Sequence, residues 1–171
     1  PLRDALGIRI HGLDGWAAAP ACFGDFAASA LVPGAPPRHF SPAQWPWAQA
    51  APFSRPSGAY VVLHLGASSP LKYWPAARWM ALAKWLSLQG YEIVWSAGAK
   101  ETHLVSEVDP KQHFTSLAGK LDLLQLASLL VGAALMVCPD TGVAHLGRLT
   151  GTPTIALFGP GSPAICGAGE Y

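Results

Sequence analysis

The 171-residue sequence predicts an α/β domain on a doubly wound, parallel, Rossmann-like sheet. Three observations lead there. From Tyr60 onward, short apolar runs alternate with segments of helical periodicity, in the order β-α-β-α-β-α-β-α-β. The run Ala134-Leu135-Met136-Val137-Cys138 shows no polar alternation, which suits a strand covered on both faces. The segments after the strands are the richest in glycine, hydroxyls and isolated charges, and parallel sheets bind ligands beyond the carboxyl ends of their strands.

Each element has its own signal. Tyr60 to Leu65 reads as a strand ending at Gly66. Pro75 suits a first helical position, Trp79, Leu82, Ala83 and Leu86 follow at helical spacing, and Gly90 stops the helix. Glu92 to Trp95 is the second strand, a short helix covers Glu101 to Glu107, and His113 to Leu117 is a short third strand. Asp122 and Gln125 have the spacing of a capping box. They open the helix Leu123 to Val131, which is apolar nearly all round, is expected to be buried, and closes at Gly132. Ala134 to Cys138 is the fourth strand. Asp140-Thr141-Gly142 opens a helix that Gly151 ends, and Pro153 to Phe158 is the last strand.

Composition narrows the function. Apolar residues make up 51% and charged residues 12%, against roughly 25% charged in an ordinary domain. The net charge of +1 leaves no basic field for a nucleic acid, so any phosphate recognition must be local. Cys22, Cys138 and Cys166 are odd in number and widely spaced, which favours a reducing compartment and offers no metal-ligand pattern. No signal peptide is visible, and the apolar stretch Leu123 to Cys138 is too short for a membrane span. Residues 1–58 carry prolines 33, 36, 37, 42, 46, 52 and 56, a density that forbids long helices and central strands. They read as a linker or the remnant of a preceding domain, with the ligand-binding domain at 59–171. The start without methionine and the stop at Tyr171 read as a piece of a longer protein.

Four segments carry candidate chemistry: Gly66 to Lys72, Ser96 to Glu101, Pro139 to His145, and Gly159 to Ser162. The first supplies the hydroxyls of Ser68 and Ser69 and the cation of Lys72, donors that a diphosphate needs; the alternative is a turn with a solvated lysine. In the third, Gly142 stands in the first turn of a helix, where free amides form an anion site. Asp140 then faces hydroxyls or serves as an N-cap, and His145 is a ligand-side or a core histidine. Glu101 either grips ribose hydroxyls, as acids past the second strand do in dinucleotide-binding folds, or is a solvated glutamate. His64 and His113 fall in strands and read as structural. Trp74 beside Lys72 either packs or flanks a ligand. The sequence lacks Gly-x-Gly-x-x-Gly, a nucleophile elbow and a paired-aspartate metal motif.

Taken together, the segments resemble glycosyltransferase family 9, the ADP-heptose:lipopolysaccharide heptosyltransferases. The resemblance is carried by His64-Leu65-Gly66-Ala67-Ser68-Ser69 with Lys72-Tyr73-Trp74-Pro75, and by Ala97-Gly98 with Glu101. It continues through Leu117-Ala118-Gly119-Lys120, Asp140-Thr141-Gly142-Val143-Ala144-His145-Leu146, and Gly151 to Pro160, in order. It implies half of a GT-B transferase, the C-terminal donor domain. It implies Lys72 on the donor's phosphate or sugar, Ser68 and Ser69 along the phosphates, and Glu101 on the adenosine ribose. It further implies the amides of Thr141 and Gly142 on the diphosphate and Asp140 on the heptose hydroxyls; His145 fits the motif without a clear role. The implied reaction is an inverting transfer of heptose from ADP-heptose, without a metal cofactor, to a lipopolysaccharide inner-core acceptor. The catalytic base is expected in an N-terminal domain outside this chain, and the place of action in the cytoplasm, peripherally at the inner membrane. The competing readings are a nucleotide-binding module without catalysis, a same-family transferase with another glycan or protein acceptor, and a flavodoxin-like receiver. The receiver reading lacks its acidic cluster at the first strand.

Overall fold

The computed structural model describes residues 49–163. The expectations for the proline-rich start, for Cys22 and Cys166 and for the last residues lie outside the described residues.

Five parallel strands form one sheet: β1 Tyr60–His64, β2 Glu92–Ser96, β3 Thr115–Ser116, β4 Leu135–Pro139 and β5 Thr154–Leu157. Their spatial order is β3-β2-β1-β4-β5. The chain moves outward one way from β1 to β3, then crosses back to β4 on the other side of β1. The order thus reverses beside β1, and a crevice opens there beyond the strand ends. Four helices cover the sheet: α1 Ala76–Leu88, α2 Thr102–Val108, α3 Leu123–Val131 and α4 Gly142–Thr150.

The two faces of β1 explain its all-apolar texture. Val61, Leu63 and Leu65 pack with Trp79, Ala83 and Leu86 of α1 and with Leu104, Val105 and Val108 of α2. Tyr60 and Val62 pack on the opposite side, with Leu129 and Leu130 of α3 and with Ala144 and Leu146 of α4. Successive side chains of a strand point to opposite faces, so a strand buried on both sides keeps no polar alternation. Ahead of β1, Phe53 joins the α3 side of the core, Arg55 Nη2 donates to Ser128 Oγ, and Gln125 Nε2 donates to Ala51 O.

The capping box forms as expected. Gln125 N donates to Asp122 Oδ1 at 2.8 Å, and Asp122 N donates to Gln125 Oε1 at 2.9 Å. Gly151 ends α4 in the left-handed region at φ 71°.

Four details depart from the sequence reading. Pro75 is the N-cap of α1 and lies one residue outside it. A single 3-10 turn, Ala99–Glu101, precedes α2. β3 is shorter than His113 to Leu117, because the carboxylate of Asp109 accepts from His113 N and Phe114 N and withholds both from the ladder. Helix α3 is not buried all round: Leu123 is 70% and Val131 50% exposed. A helix in an outer layer meets the sheet along one stripe, so apolar composition overstates its burial.

Candidate functional site

All four candidate segments converge at the carboxyl ends of β1, β2, β4 and β5. Glu101 joins the first two. Its Oε1 accepts from Ala67 N at 2.9 Å and its Oε2 from Gly98 N at 3.2 Å. It lies so close to Gly66 that a Cβ there would collide with its carboxylate, which is why a glycine stands just past this strand. Glu101 is therefore not a freely solvated glutamate. It also lines a recess of about 270 Å³ with Thr141, Leu126 and Val143.

Lys72 and Asp140 join the first and third segments. Lys72 Nζ lies 2.6 Å from Asp140 Oδ2 and donates to the Asp140 carbonyl oxygen at 3.2 Å. The ammonium approaches Oδ2 off the hydrogen-bonding direction, so this buried oxygen has a counter-charge but no directed hydrogen bond. The Asp140 side chain is 8% exposed and that of Lys72 24%, which removes the reading of Lys72 as a solvated surface lysine. The fourth segment closes over this pair: a Cβ on Gly161 would sit 2.8 Å from Asp140 Oδ2.

The structure also decides the capping question. The N-cap of α4 is Thr141, in extended backbone, and no side chain caps the helix. Asp140 belongs to the strand side, donating its own N–H to Leu157 O at 3.0 Å. The first turn of α4 carries no acid, and Gly142 faces open space, where even a Cβ would touch nothing. Such a helix start favours an anion by its free amides and its dipole.

The remaining candidates separate. Ser68 is exposed. Ser69 is partly buried, and its hydroxyl accepts from Leu71 N at 3.3 Å at the start of the turn Pro70–Lys72. His145 is exposed on α4, which excludes the core reading. Trp74 packs edge-on against Trp79 with ring centroids 5.0 Å apart, so it is a packing residue.

The sequence reading missed the floor of the recess. His64 and Ser96 end β1 and β2 side by side in the register, and His64 Nδ1 lies 3.1 Å from Ser96 Oγ. Burial pushes the His64 pKa down to about 4, so the ring is neutral. The strand alternation was the available signal: Tyr60, Val62 and His64 share the face toward α3 and α4, and the last of them reaches the strand end. Next to the site, Cys138 is buried and free, and burial together with the Asp140 charge pushes its thiol up to about 12. It is not a nucleophile.

A larger cavity of about 680 Å³ lies beside β3 and is lined by Thr102, Asp109, His113 and Phe114. It holds none of the expected donor ligands. Among the described residues, no three His, Cys, Asp or Glu side chains are placed to hold a metal ion, and no helix is long and apolar enough to cross a membrane.

Comparison with known proteins gives a coherent set of likenesses. A family model described as glycosyltransferase family 9 (heptosyltransferase) matches residues 35–169. Lipopolysaccharide heptosyltransferase 1 of Pseudomonas aeruginosa is 31% identical over 115 residues, which is 66% of this chain and 32% of that protein. The structure of E. coli ADP-heptose lps heptosyltransferase II superposes with a TM-score of 0.60 at 28% identity, over 64% of this chain and 35% of that one. An E. coli heptosyltransferase solved with ADP-2-deoxy-2-fluoro heptose gives a TM-score of 0.57 at 28% identity, over 64% of this chain and 36% of that one. The chain thus spans about a third of the length of these relatives.

Proposed function

This chain belongs to glycosyltransferase family 9, the heptosyltransferase family, and from that premise we propose that it carries the donor-binding part of an enzyme that transfers heptose from ADP-heptose to a lipopolysaccharide-type acceptor. The observation that supports this best is the convergence of a lysine, an uncapped helix start and a buried carboxylate at one strand-order reversal. A relative solved with an ADP-heptose analogue points to the same ligand class.

In this reading the diphosphate lies at the start of α4, against the amides of Thr141 and Gly142, with Lys72 and the Ser68–Ser69 turn beside it. The nucleoside enters the recess over His64, and Glu101 uses lone pairs left free by its two backbone contacts for ribose hydroxyls. Asp140 faces the sugar. As the bond from the anomeric carbon to the diphosphate oxygen breaks, negative charge grows on the leaving ADP. Lys72 and the helix amides stabilise that charge where it develops. The acceptor hydroxyl attacks from the opposite face of the sugar, inverting the anomeric carbon, and its proton goes to a base supplied from outside this chain. No step calls for a metal. We assign the reaction to the cytoplasmic face of the inner membrane, where a lipid-linked acceptor would stand. Acceptor choice rests with the part of the enzyme outside this chain, so another glycan or a protein acceptor is compatible with the same donor site.

Titration calorimetry of this chain with ADP in the presence of EDTA tests the proposal. Binding at micromolar to millimolar ADP is expected. A folded sample that shows no heat with ADP or ADP-heptose would refute it.

A further inference from the structure

We propose that the Lys72–Asp140 ion pair makes this site discriminate between a nucleoside diphosphate that carries a sugar and one that does not. The inference rests on the donor-site reading above and adds a competition to it: the cation assigned to the phosphates is engaged in this structure by the anion assigned to the sugar.

Four observations carry it. The Lys72 ammonium meets one residue twice, the Asp140 carboxylate at 2.6 Å and the Asp140 carbonyl oxygen at 3.2 Å. The carboxylate is buried, with one oxygen short of a directed hydrogen bond. The backbone of Asp140 is held in the sheet by its bond to Leu157, and Gly161 stands so close that a Cβ there would lie 2.8 Å from Oδ2. Asp140 does not cap α4, so the helix amides remain available to an incoming anion and not to this carboxylate.

Binding of a bare diphosphate draws Lys72 toward the phosphates and leaves a buried carboxylate without its partner. Removing one member of a buried pair is strongly unfavourable, because the remaining charge has lost its solvent and gained nothing. A sugar on the diphosphate changes the balance. Its hydroxyls donate to the carboxylate that Lys72 has left, and hydrogen bonds to a charged acceptor are the stronger kind. The full donor therefore satisfies every group it disturbs, whereas the bare nucleotide satisfies only the lysine. The same asymmetry weakens the hold on the nucleotide once the sugar has gone.

Calorimetry of ADP and of ADP-heptose with the parent chain and with Asp140→Asn tests this. The variant is expected to bind ADP about tenfold more tightly than the parent, since Lys72 is free from the start. The extra affinity that the heptose confers should shrink by a similar factor. Carried into a Lys72→Met background, the gain from Asp140→Asn should fall, because no pair is left to break. An equal or larger gain there reveals plain repulsion between Asp140 and the phosphates and overturns the competition. Unchanged or weaker ADP binding by Asp140→Asn also overturns it, since Lys72 then serves both anions at once. A melt checks that each variant folds, and Asp140→Ser replaces Asn if the amide does not fit. A parent chain that binds neither ligand overturns the donor-site reading and the competition with it.

Discussion

Two buried aspartates at opposite ends of the sheet have opposite surroundings. Asp109, 1% exposed at the corner after α2, accepts from Trp95 Nε1 at 3.0 Å, His113 N at 2.9 Å, His113 Nδ1 at 2.8 Å and Phe114 N at 3.0 Å. Burial pushes its carboxyl up, but the hydrogen bonds from His113, Trp95 and Phe114 outweigh burial and hold the pKa at about 2. Asp140, 6% exposed at the end of β4, has one lysine and an oxygen without a directed bond. A saturated carboxylate has no capacity left for a ligand and holds the fold. One left under-satisfied beside a movable cation is poised to exchange partners. The distinction lies in the count of donors, not in burial, since both side chains are nearly inaccessible.

The comparison breaks most visibly at Asp109. Replacement by Ala leaves the indole N–H and two backbone amides without their acceptor, and should cost about 3–5 kcal/mol of stability. Urea denaturation reads this directly. A loss below about 1 kcal/mol would mean that water replaces the carboxylate and that Asp109 is no structural keystone. The folded fraction of this variant should still bind ADP as the parent does, because the corner lies away from the segments proposed to bind the donor.

Lys72→Ala sharpens the other side. A charge-assisted contact to phosphate is worth roughly 1.5–3 kcal/mol, and the ion pair that ADP must break offsets part of it, so ADP affinity should fall by about threefold or more. The ion pair adds a second expectation, absent for a solvated lysine: the melting temperature should drop as well, because Asp140 is left buried without its counter-charge. A drop in affinity with an unmoved melt would show that Asp140 finds water in place of Lys72.

His64 provides the pH test. Its folded pKa of about 4 lies below the ordinary 6.5, so below pH 6.5 the unfolded chain takes a proton that the folded chain refuses. Stability from this group is complete above pH 6.5 and is lost as the pH falls toward 4. At pH 4.5 the loss should be about 2 kcal/mol. Asp109 acts in a lower window, contributing above its ordinary 3.8 and losing that contribution as the pH falls toward 2. Melts from pH 7 to 4.5 should therefore decline more steeply in the parent than in His64→Gln. Parallel declines would show that the His64 ring reaches solvent and titrates normally.

Much of this is legible along the chain. The alternation of short apolar runs with helical periodicity predicts the parallel sheet, and Asp122 with Gln125 predicts a cap that the structure contains. Glycines 142 and 151 mark an open helix start and a helix stop, because each acts through its own backbone. The four segments at the strand ends are legible for the same reason, since loops after strands are local features. Three of the misses have one cause. The shortened β3, the exposed face of α3 and the recess floor at His64 and Ser96 depend on what stands opposite in space: a carboxylate, a sheet and a neighbouring strand.

The sequence by itself determined the order of elements, the doubly covered strands and the residues gathered at the strand ends. Those follow from periodicity, caps and turn chemistry, whose range is a few residues. Only the tertiary structure decided how those residues are paired. Lys72 and Asp140 stand 68 positions apart, and Glu101 reaches back 34 positions to Ala67. The crossover that places β4 beside β1 brings the first pair within 2.6 Å. Charge pairing depends on distance and on excluded water, and neither exists until the sheet has closed around both groups.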